Sequence, residues 1–254
     1  MQRLPLAVFV LLSMTAPAMA QNGQYAFDSL FQKITVGERT WYSQVLQPVN
    51  GNCLTSYKVN RLASGRNQSY VDNNFMLTDA DFQSLNAKDL LLYAMNHPEE
   101  RVNMNMKISP PDNWPTLTFA YIAPTMQGRR ISKRQMDALE AKRDSVVQFL
   151  KNCMPYFPVL TKSYKELVIS LHATECIPEL LYKANRPYYY DTYVVTVIMN
   201  LMVDARYKPF IQSDVYKKLY GKELNYSSFI ESDKKTIDFI LQTAAAFYKS
   251  KYNH

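Results

Sequence analysis

Glycine is scarce in this 254-residue chain, with six in all, and histidine is scarcer, with His97, His172 and His254 as the complete set. So few glycines leave little backbone for cradling phosphates. No Gly-rich phosphate loop, Gly-x-Ser-x-Gly elbow, His-Glu-x-x-His pair or calcium-binding loop occurs. Three scattered histidines are a poor stock for catalytic zinc, which ordinarily takes three protein ligands. The sequence therefore carries no metal or cofactor signature, and no cofactor is expected. Long apolar runs are also lacking. The stretch from Leu4 to Met14 is far short of the roughly 20 residues that a bilayer span requires.

That short stretch reads instead as the core of a secretory leader, residues 1–20. Met1, Gln2 and Arg3 make a basic start, and Ala16, Ala18 and Ala20 supply the small residues of a cleavage site after Ala20. The expectation is an extracytoplasmic protein, periplasmic or secreted, with no transmembrane segment once the leader is gone. No cysteine follows the cut to accept a lipid. Loss of Arg3 would take the formal charge from +7 to +6, a surplus that permits acidic partners but suits solubility as well.

Cysteine is nearly as rare. Cys53, Cys153 and Cys176 allow one disulfide and one leftover thiol in an oxidising compartment. Cys153 with Cys176 is the preferred pair because both lie at or near the ends of consecutive helical segments. Three buried thiols behaving as small hydrophobes are the alternative.

What is abundant is helical periodicity. Phe27, Leu30, Phe31 and Ile34 share one face of a short helix, and residues 50–74 read as loop with a short strand near 54–59. Thr78 can cap a helical zone that Asn86 divides and Pro98 stops. Val102, Met104, Met106 and Ile108 then alternate with polar residues, as do Leu117, Phe119 and Tyr121 after a proline-rich turn. A small β-hairpin over about 101–122 follows from this two-residue period. Ser132 and Gln135 stand at capping-box spacing ahead of a helix to Cys153, and Ser228 and Glu231 do the same ahead of the last helix. Further helices are expected at 163–172, 175–185, 191–206 and 213–220. The 191–206 segment is apolar on nearly every side, which marks it as the buried centre, although its β-branched residues leave a strand open for part of it. The fold class is mainly α, either a multi-helix bundle or an α-α superhelical array. Residues 21–130 would form a mixed α/β portion continuous with a helical portion at 131–254.

Chemistry could collect at His172, Glu175, Cys176 and Glu179, since one helix through them would stack His172 on Cys176 and Glu175 on Glu179. Pro178 interrupts that helix, and helix-end chemistry explains the same residue types: His172 closing one helix, Thr174 capping the next and Cys176 structural. His97, before Pro98, reads as a helix-ending turn. Tyr188, Tyr189, Tyr190 and Tyr193 crowd together after Arg186-Pro187, and rings with polar tips suit sugars, peptides and protein interfaces as well as helix seams. Basic clusters at Arg129, Arg130, Lys133 and Arg134, and at Lys217, Lys218, Lys222, Lys234 and Lys235, are interleaved with acids and read as solvated faces, so nucleic acid is not expected as a partner. These readings lean away from an enzyme. They favour a noncatalytic binding protein whose partner is another protein or an envelope glycan. The alternative is a secreted hydrolase or thiol-dependent enzyme built around His172 and Cys176. No family resemblance accompanies these residues.

Overall fold

The computed structural model describes residues 56–64, 76–103, 111, 113–123, 127–157, 159–185, 191–221 and 228–252. The expected leader, the helix at 25–34, Cys53, and Tyr188, Tyr189 and Tyr190 lie outside the described residues. Within them the chain is mainly α-helical, with two small antiparallel strand pairs. No helix among the described residues is long and apolar enough to cross a membrane.

Local chemistry explains where most helices begin. Helix α1, Tyr57–Ser64, stands where a short strand was expected. Ser56 corrects that reading, because its Oγ accepts from the Val59 N–H at 3.2 Å and so opens a helical turn. Thr78 Oγ1 accepts from Asp81 N–H to start α2, Asp79–Gln83, and Asn86 Oδ1 accepts from Asp89 N–H to start α3, Ala87–Asn96. Strand β1, Glu100–Asn103, follows Pro98.

Both expected strand regions contain strands, but they do not pair with each other as a hairpin. Strand β2, Leu117–Phe119, is separated in space from β1, which pairs with β3, Gln127–Arg130, matching Glu100 to Arg130 and Val102 to Gly128. The partner of β2 is β4, Phe229–Glu231, with Leu117 opposite Glu231 and Phe119 opposite Phe229. The physical reason is burial: β2 is buried at all three residues, deeper than a surface hairpin could place it.

The remaining helices are α4, Lys133–Ala141; α5, Arg143–Cys153; α6, Lys162–Ser170; α7, Ile177–Ala184; α8, Thr192–Asp204; α9, Lys208–Ile211; α10, Asp214–Tyr220; and α11, Lys234–Tyr252. The capping box at Ser132 and Gln135 forms in full. The one expected at Ser228 and Glu231 does not, since those residues lead into and form β4. Asp233 takes over the start of α11 by accepting from Thr236 N–H at 2.8 Å. Helix α8 is the centre, with Val194, Val197, Ile198, Met199, Leu201 and Met202 all buried, and it packs against α6, α7, α9, α11 and β2.

A buried carboxylate ties the N-terminal helices to α4. Glu99 Oε1 accepts from Tyr93 Oη at 2.8 Å and Oε2 from Ser132 Oγ at 2.8 Å, while the Arg134 guanidinium bonds to both oxygens. Arg134 also reaches Asp79 Oδ1 at 2.7 Å and Leu77 O at 3.2 Å, and lies over the Phe82 ring. Gln135 Oε1 accepts from the Glu99 N–H, and Gln135 Nε2 donates to His97 O. Burial alone would raise the Glu99 pKa, yet its hydrogen-bond donors together hold it below the ordinary value of 4.5.

A carboxylate with a depressed folded-state pKa adds stability above its unfolded pKa and loses it as pH falls through the folded one. Glu99→Gln should therefore cost about 2–3 kcal/mol at neutral pH, a buried-pair loss discounted because Arg134 is partly exposed. Below pH 4.5 the gap between wild type and variant should narrow as the wild-type carboxylate protonates. Urea melts at several pH values check this, and a gap that stays constant with acidification would contradict the assignment.

Candidate functional site

The turn between α6 and α7 gathers the four residues that a single helix would have aligned. The chain breaks the helix there. Helix α6 closes with His172 in the left-handed region at φ 47°, its N–H bonding Ile169 O at 2.8 Å and the next N–H, of Ala173, bonding Val168 O at 3.0 Å. Residues Thr174–Cys176 follow as a 3-10 turn, and Pro178 sits in the first turn of α7.

As a result the four side chains diverge. His172 is mostly exposed and its Nδ1 lies 3.2 Å from Asp204 Oδ2 at the end of α8. Glu175 is held by both Nη atoms of Arg143, at 2.9 and 3.0 Å, which keeps its carboxyl below the ordinary range despite partial burial. The same guanidinium donates to Leu171 O and His172 O, supplying cations and donors to the carbonyl end of α6. Glu179 stands 3.9 Å from Lys151, with its carboxyl pushed up by burial. Cys176 is completely buried, and burial, with smaller contributions from Glu179 and Glu175, raises its thiol to about 12. A thiol in that range stays protonated at neutral pH, and no hydrogen bond joins it to His172, so the arrangement does not make an activated nucleophile.

The preferred disulfide is absent from the structure: Cys153 and Cys176 are both buried thiols packed in the apolar core. Among the described residues no group of three or more His, Cys, Asp or Glu could hold a metal ion. His97 caps the end of α3, its ring stacked on Tyr93 and its pKa lowered by burial. In the basic cluster at the start of α4, Arg130 pairs with Glu100, Lys133 with Asp137 and Arg134 with Glu99 and Asp79, while Arg129 donates to Glu99 O at 3.4 Å. An open cleft of about 620 Å³ lies where α4 meets α5, lined by acids and bases together, including Arg143, which is already committed to Glu175.

Tyr193 does not belong to a surface. It is 1% exposed, and its ring stacks on Phe119 with centroids 5.7 Å apart, because it lies in the first turn of the central, largely buried helix. The aromatic surface among the described residues lies elsewhere. Tyr156 is 74% exposed and Tyr182 is 53% exposed, more than any other large hydrophobic side chain described. Pro155 ends α5 and turns Met154–Tyr156 into a 3-10 segment, so Met154 and Phe157 point inward while Tyr156 points out. On α7, Ile177 and Leu180 take the buried face and leave Tyr182 to solvent. Lys183 donates to Phe157 O, fastening the residue beside Tyr182 to the residue beside Tyr156. Gln148 and Asn152, bonded to each other at 3.0 Å, expose amides on α5 just before this end.

The sequence signal for these two rings was weak, because each is a single tyrosine at a helix end rather than part of a run. For the thiols the expected outcome is definite: maleimide labelling of the folded protein, mapped by peptide, should leave Cys153 and Cys176 unmodified until denaturant is added. Rapid native labelling at Cys176 would contradict its burial. No protein-family model, curated protein or solved structure matches the chain.

Proposed function

We propose that this chain is a noncatalytic extracytoplasmic binding protein that holds a carbohydrate chain on the surface carrying Tyr156 and Tyr182. The observation that carries this reading is the outward presentation of two tyrosine rings on adjoining, mutually fastened segments. A tyrosine ring offers a flat apolar face to a sugar and a hydroxyl at its rim. The helix before Tyr156 and the helix that carries Tyr182 also bear the Gln148 and Asn152 amides and a Lys151–Glu179 pair, polar groups that suit a hydroxyl-rich ligand. The leader-like first twenty residues put such a ligand within reach, since envelope and extracellular glycans lie outside the cytoplasm. The buried, protonated Cys176 supports binding over thiol catalysis.

A panel of immobilised oligosaccharides, probed with the purified protein, tests the reading. At least one glycan class should be retained, and the double substitution Tyr156→Ala with Tyr182→Ala should weaken that retention about tenfold or more, as loss of two stacking rings implies. The melting temperature should scarcely move, because both rings are solvent-facing. Retention of no glycan, or retention indifferent to the double substitution, would overturn the proposal; a protein captured through these same rings would replace the glycan with a protein partner.

A further inference from the structure

Asp191 occupies the N-cap position of α8, where an aspartate ordinarily accepts from the first free N–H groups of the helix, yet it makes no such bond. Its carboxylate turns inward instead. Oδ1 lies 2.7 Å from Lys165 Nζ of α6, and the two side chains are 5% and 1% exposed. The Tyr193 ring covers the ammonium from one side, its centroid 5.5 Å from Nζ, and Phe119 stacks behind that ring.

As an ion pair this arrangement is poorly provided for. Two charges withdrawn from water need further hydrogen bonds to offset their desolvation. No protein donor reaches Asp191 Oδ2 among the described residues, and Lys165 Nζ has one carboxylate oxygen and one ring face for its three protons. A shift of one proton from Nζ to the carboxyl removes both charges and leaves an amine beside a carboxylic acid at the same separation. Burial favours that direction on the lysine side, since it lowers the affinity of Lys165 for its proton. The carboxyl carbon then lies no more than about 4 Å from Nζ, one C–O bond beyond the contacted oxygen. Attack requires that carbon to close to roughly 3–3.5 Å.

We propose that Lys165 and Asp191 are the site of an intramolecular isopeptide cross-link. Lys165 Nζ attacks Asp191 Cγ and a C–N bond forms. One C–O bond breaks, and its oxygen leaves as water with the carboxyl proton and one amine proton. The balance needs no oxidant and no co-reactant. The product is a neutral amide with one N–H and one carbonyl, which is less costly to bury than two under-bonded ions. It would join α6 to the first residue ahead of α8, fixing two of the packed elements covalently.

Mass spectrometry of the full chain, purified in its natural form, then reduced and denatured, decides the matter. The mass should fall short of the sequence mass, counted from the observed N-terminus, by one water. Peptide mapping should recover a branched species joining the peptide that contains Lys165 to the one that contains Asp191. Lys165→Arg should restore the full mass and two separate linear peptides. Wild-type protein at its full mass, with Lys165 and Asp191 in separate linear peptides, would overturn the proposal, as would a water deficit that maps elsewhere. The wild-type map is decisive by itself should the variant not fold.

Discussion

Helix α8 is buried along most of its length and has to be covered on nearly every side. Tyr193, Val194, Val197, Ile198, Met199, Leu201 and Met202 are each at most 1% exposed. Burying a side chain of this kind is worth about 1.5–3 kcal/mol relative to leaving it in water, so the sum outweighs any local preference in the neighbouring segments. Helices α6, α7 and α11 and strand β2 are arranged as its covering. The few polar groups of α8 serve that covering too. Thr196 Oγ1 donates to Phe119 O at 2.7 Å and Asn200 Nδ2 to Ala120 O at 2.8 Å, and Tyr220 Oη adds a bond to Ala120 O. These donors allow a three-residue strand with one strand partner to lie wholly buried without orphaned carbonyls at its end.

The same demand shapes the candidate site. Elements that must wrap α8 need sharp, well-bonded ends, and the α6 terminus obtains one from left-handed His172 together with Arg143, which satisfies two end carbonyls and Glu175 at once. Ionisable groups in this turn are consequently paired off in structural roles. The described surface keeps exposed aromatic rings at the 3-10 segment after α5 and on the outer face of α7.

How much of this could be read from the residues depends on the range of the determining interaction. Local signals spoke clearly. Thr78, Asn86 and Ser132 cap the helices that their side chains indicated, and the apolar character of 191–206 on nearly every side marked the centre of the fold. Long-range pairing was silent. The alternation at Val102 and at Leu117 and Phe119 marks strands, yet nothing in it says that their partners are residues 127–130 and 229–231, the latter more than a hundred positions away. Ser228 and Glu231 have capping-box spacing but were claimed by that distant strand. Tyr193 belongs to a dense tyrosine run in sequence and to the core in space, whereas Tyr156 and Tyr182 owe their exposure to a proline-made turn and to which face of α7 is buried. The ion pair of Lys165 and Asp191 was likewise invisible, because 26 residues separate its partners.

The central claim is that α8 is the last element to lose its structure, since α6, α7, α9, α11 and β2 all pack against it. Native-state hydrogen exchange, read by mass spectrometry on peptides spanning Val194 to Met202, tests it most directly. The account predicts that these amides exchange only through global unfolding, with protection above that of α4 and α10. Exchange in α8 through low-energy local opening, at rates matching those outer helices, would contradict it.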